Sequence, residues 1–186
     1  MNAIFRHPIR LLIAIVAVLV ILTQTLAIVP EDKQALILRF ELARSVSEVA
    51  SLLGAPDTPQ GQHLRATLNL INTTDFAFAL AYPLLNVAMV AFVAAGRTRA
   101  FRLVAVALAL AMSVGDICEN RALIALASAA SPDPEQVRGL QIATSVKWGA
   151  LYVCAGVLGT ALLQGGLLRR MLALLAFGGS ALGLFA

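Results

Sequence analysis

Charge is what this chain has least of. Only 13% of its 186 residues are Asp, Glu, Lys or Arg, against 60% that are hydrophobic, a balance foreign to an ordinary soluble domain. Histidine occurs twice, as His7 and His63, far apart in the chain, which leaves too few ligands for a histidine-based metal site and no partner set for a Ser-His-Asp triad. A glycine-rich phosphate loop and a His-Glu-x-x-His helix are both missing, so nucleotide hydrolysis and zinc proteolysis find no support. The two cysteines, Cys118 and Cys154, stand inside apolar runs and read as small buried apolar residues rather than as a disulfide. Neither a metal nor a cofactor is expected.

What is there is apolar length. The mean hydropathy is +0.86, and the net charge of +4 comes from short basic clusters set between apolar segments. That pattern reports membrane topology and not a nucleic-acid partner. The chain therefore reads as an all-α membrane protein, a bundle of about five transmembrane helices with one amphipathic interfacial helix.

Residues 1–33 form an N-terminal anchor: Leu11 to Val29 has the length of a bilayer span, Thr25-Leu26-Ala27 is a poor cleavage site, and Pro30 ends the run before Glu31-Asp32-Lys33. Residues 34–54 read as one amphipathic extracytoplasmic helix. Leu36, Phe40, Ala43, Val46, Ala50 and Leu53 make its apolar stripe, Glu41, Arg44, Glu48 and Ser51 its polar one, and Gly54 stops it. Residues 55–186 form a four-helix membrane bundle with spans at about 70–95, 103–127, 140–163 and 171–186. Thr58-Pro59 and Asp133-Pro134-Glu135-Gln136 both carry the cap-then-proline signature of a helix start.

Charge asymmetry orients the bundle. With the N-terminus inside, one side holds Arg6, Arg10, Arg97, Arg99, Arg102, Arg169 and Arg170 and no acid, while the other holds Lys33, Arg39, Arg44, Arg65 and Arg138 against seven acids, Glu31, Asp32, Glu41, Glu48, Asp57, Asp133 and Glu135. The bias predicts a multi-pass protein of the bacterial inner (plasma) membrane, N-terminus cytoplasmic and C-terminus extracytoplasmic.

The candidate site is the stretch Gly115-Asp116-Ile117-Cys118-Glu119-Asn120-Arg121 in the middle of an apolar run. Asp116, Glu119 and Asn120 stand at i, i+3 and i+4 on one helical face, and charge at that depth is tolerated where it faces protein, water or a counter-charge. On the preceding span Asp75, Tyr82 and Asn86 share a face at i, i+7 and i+11, and Lys147 with Trp148 lies in the following one. Antiparallel threading brings these residues to similar depth, which predicts a polar cluster of Asp75, Tyr82, Asn86, Asp116, Glu119, Asn120, Arg121, Lys147 and Trp148 opening toward the outer leaflet. Arg121 and Lys147 compete for the carboxylates and argue against a cation site. Three functions fit. The cluster binds a lipid or an amphiphilic small molecule; paired carboxylates split acid and base roles on a lipid-like substrate; or the ions only lock helices together in a structural subunit. Membrane lipids are the expected partners, nucleic acid is not, and self-association is left open.

Two resemblances rest on short motifs. Ile28-Val29-Pro30-Glu31-Asp32-Lys33-Gln34-Ala35-Leu36-Ile37-Leu38-Arg39-Phe40 behind a single anchor looks like the anchor region of stomatin/prohibitin-type membrane-protease regulators, but no β-rich domain follows it, and it implies nothing functional here. Phe40-Glu41-Leu42-Ala43, Asp75-Phe76 with Tyr82, Gly115-Asp116 with Glu119-Asn120, and a lysine in the next span together resemble an uncharacterised family of small bacterial polytopic integral membrane proteins, over roughly residues 36–160. That resemblance implies helical membrane architecture and no established activity.

Overall fold

The structure, a computed structural model, describes residues 17, 18, 20, 36, 38–93, 97–163, 166, 167, 170, 171, 173, 174 and 176–178, with the side chains at 82–86 and 88–93 outside that description. These residues form helices and connections, with no strand among them. Four helices follow one another: α1 Val46–Leu53, α2 Pro59–Val93, α3 Arg99–Ser128 and α4 Pro134–Leu162. The expected spans Leu11–Val29 and Met171–Ala186 fall largely outside the described residues.

Local chemistry sets the helix starts. Thr58 Oγ1 accepts the Gly61 N–H at 3.1 Å ahead of Pro59, the first residue of α2. At α4, Asp133 Oδ1 accepts from Glu135 N–H at 2.9 Å while Gln136 Oε1 accepts from Asp133 N–H at 3.2 Å. Each arrangement satisfies amide groups that a helix start leaves without an intrahelical acceptor.

The stretch expected as one helix over residues 34–54 is interrupted. Residues 38–41 are helical, Leu42 to Ser45 are not, and α1 begins only at Val46. Ser45 is extended (φ −143°, ψ 155°) and its Oγ accepts the Glu48 N–H at 3.1 Å, while Glu48 Oε2 accepts the Arg44 N–H at 2.9 Å. Ser45-x-x-Glu48 is thus a capping pair, and it outcompetes continuation of the helix. The Arg44–Glu48 spacing joins a backbone amide to a carboxylate rather than two side chains on one helical face. Gly54 then ends α1 at φ +67°, a backbone conformation open to glycine.

Contacts divide the chain into two compact units, one of residues 1–19, 80–114 and 146–186 and the other of residues 20–79 and 115–145. The core of the second unit holds Phe40, Leu53, Leu68, Leu123, Leu126 and Leu140, with Val49 and Leu52 of α1 seated on it. Each such side chain contributes about 1.5–3 kcal/mol on burial. In the first unit Ala105, Cys154 and Leu158 form a smaller cluster.

An arginine closes one helix end in each unit. Within the second, Arg65 on α2 donates from Nη1 to the carbonyls of Ala127 (3.1 Å) and Ala129 (2.6 Å) and from Nη2 to that of Gly54 (3.3 Å), closing the end of α3. Within the first, Arg97 Nη2 donates to the carbonyls of Thr160 (3.0 Å) and Ala161 (3.1 Å) at the end of α4, with its guanidinium 5.6 Å from the Phe101 ring centroid. The last carbonyls of a helix carry partial negative charge and lack amide partners, so a fork of cationic N–H groups suits them.

Both α3 and α4 are long and apolar enough to cross a membrane. Large apolar side chains stand exposed on both, Leu103, Leu110 and Val114 on α3 and Ile142, Val146 and Val153 on α4, while Met112, Leu123 and Leu126 on α3 and Leu140 and Leu158 on α4 are buried. The buried side of α3 carries Asp116, Glu119 and Asn120.

Candidate functional site

The second unit gathers a polar centre from three helices and the strap that precedes α1. On α3, Asp116 and Glu119 are 0% exposed and Asn120 2%. Asn120 Nδ2 donates to Oδ2 of half-buried Asp75 on α2 at 2.9 Å. Thr144 of α4, also buried, donates from Oγ1 to Glu119 Oε1 at 2.5 Å, and the Glu41 carbonyl stands 3.4 Å from the same hydroxyl. Gln141, one turn earlier on α4, donates from Nε2 to the Arg44 carbonyl at 3.0 Å, tying the interrupted strap to α4. Hydrogen bonds of this kind satisfy groups whose burial would otherwise cost several kcal/mol.

A groove of about 310 Å³ is lined by Glu41, Leu42, Ala43, Arg44, Gln141, Thr144 and Ser145. Thr144 is therefore both a wall of the groove and the donor to buried Glu119. Through that hydroxyl the groove lining is joined to a carboxylate that is itself fully buried.

The nine residues expected to cluster fall as follows. Asp75, Asp116, Glu119 and Asn120 belong to the second unit, where Asp75 and Asn120 are joined directly. Arg121, in the same unit, is exposed, on the side of α3 that also shows Cys118. Both cysteines are free, and Cys118 is exposed where its apolar surroundings had predicted burial, because it follows exposed Val114 by one turn. Tyr82 and Asn86 lie on α2 within the first unit, their side chains outside the described set. Lys147 and Trp148 also belong to the first unit; Lys147 Nζ stands 5.5 Å from the Trp148 ring centroid, and Trp148 stacks on Tyr152 at 5.8 Å and 24°. A cation over a ring at that distance is attracted to its face.

Sequence reasoning overlooked two buried polar side chains on α2, Arg65 and Asn72, the latter 3% exposed with no partner for Nδ2 among the described residues. Arg65, Asn69 and Asn72 stand at i, i+4 and i+7, a polar stripe whose spacing was the available signal. Among the described residues no group of three or more His, Cys, Asp and Glu side chains is placed to hold a metal ion. A scan against protein-family models finds no match, and searches of curated proteins and of solved structures return none either.

Proposed function

We propose that the chain is an integral membrane protein of about five membrane-crossing helices, seated in a bacterial inner membrane with its N-terminus cytoplasmic, that binds the polar head of a lipid or amphiphilic small molecule at its buried carboxylate centre. The membrane reading is supported by the length and apolar composition of α3 and α4, by the large apolar side chains exposed on both, and by the charge bias between loops. The binding reading is carried by one observation: groove-lining Thr144 is hydrogen-bonded to fully buried Glu119. A polar head entering the groove can exchange for the Thr144 hydroxyl as the donor to Glu119 without exposing that carboxylate to hydrocarbon.

Mass spectrometry of lipids and small molecules retained by the purified protein tests this, comparing wild type with Glu119→Gln and Asp116→Asn. The expected result is a discrete amphiphile retained by wild type and reduced about tenfold by Glu119→Gln, the loss of one charge-assisted hydrogen bond. The same bulk lipid profile in all three proteins would refute it.

A second reading has its own observation. Asn120 bonds Asp75 directly across α3 and α2, an arrangement that also serves a purely structural lock between helices. Under that reading Glu119→Gln alters stability and leaves retained molecules unchanged.

A further inference from the structure

Beside the Thr144 groove lies a second one of about 350 Å³, sharing Arg44 and Gln141 with it and completed by Ser45, Val46, Pro134, Val137 and Arg138. We propose that this second groove binds a phosphate group, supplied by the headgroup of an anionic phospholipid, between the guanidinium groups of Arg44 and Arg138.

Three observations carry the proposal. Arg44 and Arg138 are exposed, and neither forms an ion pair among the described residues. Two neighbouring carboxylates are held by backbone amides, Glu48 Oε2 accepting from Arg44 N–H and Asp133 Oδ1 from Glu135 N–H, while Glu41 and Glu135 each stand three residues from one of the arginines and outside the groove lining. Second, the backbone of Arg44 is pinned on both sides, its N–H on Glu48 and its carbonyl on Gln141 Nε2, so the guanidinium extends from a fixed base, while Arg138 stands one turn before Gln141 on α4. Guanidinium groups present paired N–H donors that match phosphate oxygens two at a time. Third, the groove has an apolar wall of Val46, Pro134 and Val137 beside its cations. An amphiphile needs both.

Position selects the lipid as source. At 29 residues, α4 is about 43 Å long, more than the ~30 Å hydrocarbon layer it would cross. Its first turns, which bear Val137 and Arg138, then reach headgroup depth, where phosphate is the commonest anion and a juxtamembrane basic residue is attracted to anionic lipid. The proposal rests on the membrane reading but not on the buried carboxylates, and its failure is separable from theirs.

Native mass spectrometry of the full chain in detergent, titrated with phosphatidylglycerol, phosphatidylcholine or inorganic phosphate, tests it. Wild type is expected to prefer phosphatidylglycerol, and Arg44→Gln with Arg138→Gln to weaken that binding about tenfold per arginine removed. Arg102→Gln, an exposed arginine outside the groove, should leave it unchanged. Arg44→Lys with Arg138→Lys, which keeps the charge but not the fork, should bind several-fold more weakly than wild type, and it serves as the readout if the glutamine pair does not fold. Phosphatidylglycerol affinity equal to wild type in the folded double variants would overturn the site. Displacement of the lipid by millimolar inorganic phosphate would overturn the lipid as the source.

Discussion

Asn120 of α3 and Asp75 of α2 meet through a hydrogen bond, Nδ2 to Oδ2 at 2.9 Å, that joins two helices within the second unit. Interhelical bonds in membranes carry less energy than their dry surroundings suggest, because the unfolded helices find other partners. A double-mutant cycle of Asn120→Ala and Asp75→Ala, read by unfolding in mixed micelles, should therefore return a coupling of about 0.5–2 kcal/mol. A coupling near zero would mean that the two side chains do not act as a pair.

Arg65 should matter more than its charge alone implies. It supplies three carbonyls, at Gly54, Ala127 and Ala129, and no other side chain is bonded to them among the described residues. Arg65→Met keeps the aliphatic stem and removes every donor, and should cost about 3 kcal/mol or more. Arg65→Lys, a point charge without the fork, should recover only part of that. Thermal unfolding of the purified protein measures both.

These two arginine and asparagine contacts mark where sequence reading succeeded and where it stopped. The helix starts at Thr58-Pro59 and Asp133-Pro134 were legible, because caps are local chemistry. So was the inward face of Asp116, Glu119 and Asn120, since helical spacing alone sets a shared side and burial follows from the cost of polar groups in hydrocarbon. The break before α1 was legible too, in Ser45-x-x-Glu48, but the apolar stripe running across it suggested one continuous helix. Arg65 counts in the sequence only as one of the outer basic residues, because nothing in its neighbourhood reveals the carbonyls at Ala127 and Ala129, sixty residues on. Long-range partners of that kind depend on the packing of α2 against the end of α3, which no local pattern encodes.

Glycine positions give a contrast within one protein. A Cβ built on Gly61 lies 2.0 Å from the Ala55 carbonyl oxygen, whereas one on Gly139 meets nothing within 4 Å. Gly61→Ala should force the α1–α2 connection apart and cost about 1–3 kcal/mol. Gly139→Ala, in the interior of α4, should stabilise by about 0.5–1 kcal/mol through helix propensity. Equal effects from the two substitutions, measured by thermal unfolding, would be inconsistent with these surroundings.

Topology follows from the proposed orientation. Cysteines introduced at Asp57 and Thr98, in a variant with Cys118 and Cys154 replaced by Ala, should label from opposite faces of the membrane, since α2 runs between them. Reaction of the Asp57 position from the periplasmic side of intact cells, and of the Thr98 position only after permeabilisation, is the expected pattern. Labelling of both from one side would reduce the count of crossing helices and reverse the charge argument.

Thr144 offers the sharpest test of the polar centre, because its substitution by valine changes chemistry and hardly changes shape. Thr144 Oγ1 donates to Glu119 Oε1 inside the second unit, and both residues are buried. Thr144→Val deletes the donor while the carboxylate stays enclosed, so the cost is the desolvation of an acceptor left short of a partner, about 1–3 kcal/mol, rather than the smaller net value of an ordinary hydrogen bond. Thr144→Ser keeps the hydroxyl and should lose less than Thr144→Val. Adding Glu119→Gln to Thr144→Val should restore part of the loss, because a neutral amide is cheaper to bury than a carboxylate short of a donor. Unfolding midpoints for the four proteins decide the matter: a double variant no more stable than Thr144→Val alone would show that Glu119 does not depend on this hydroxyl.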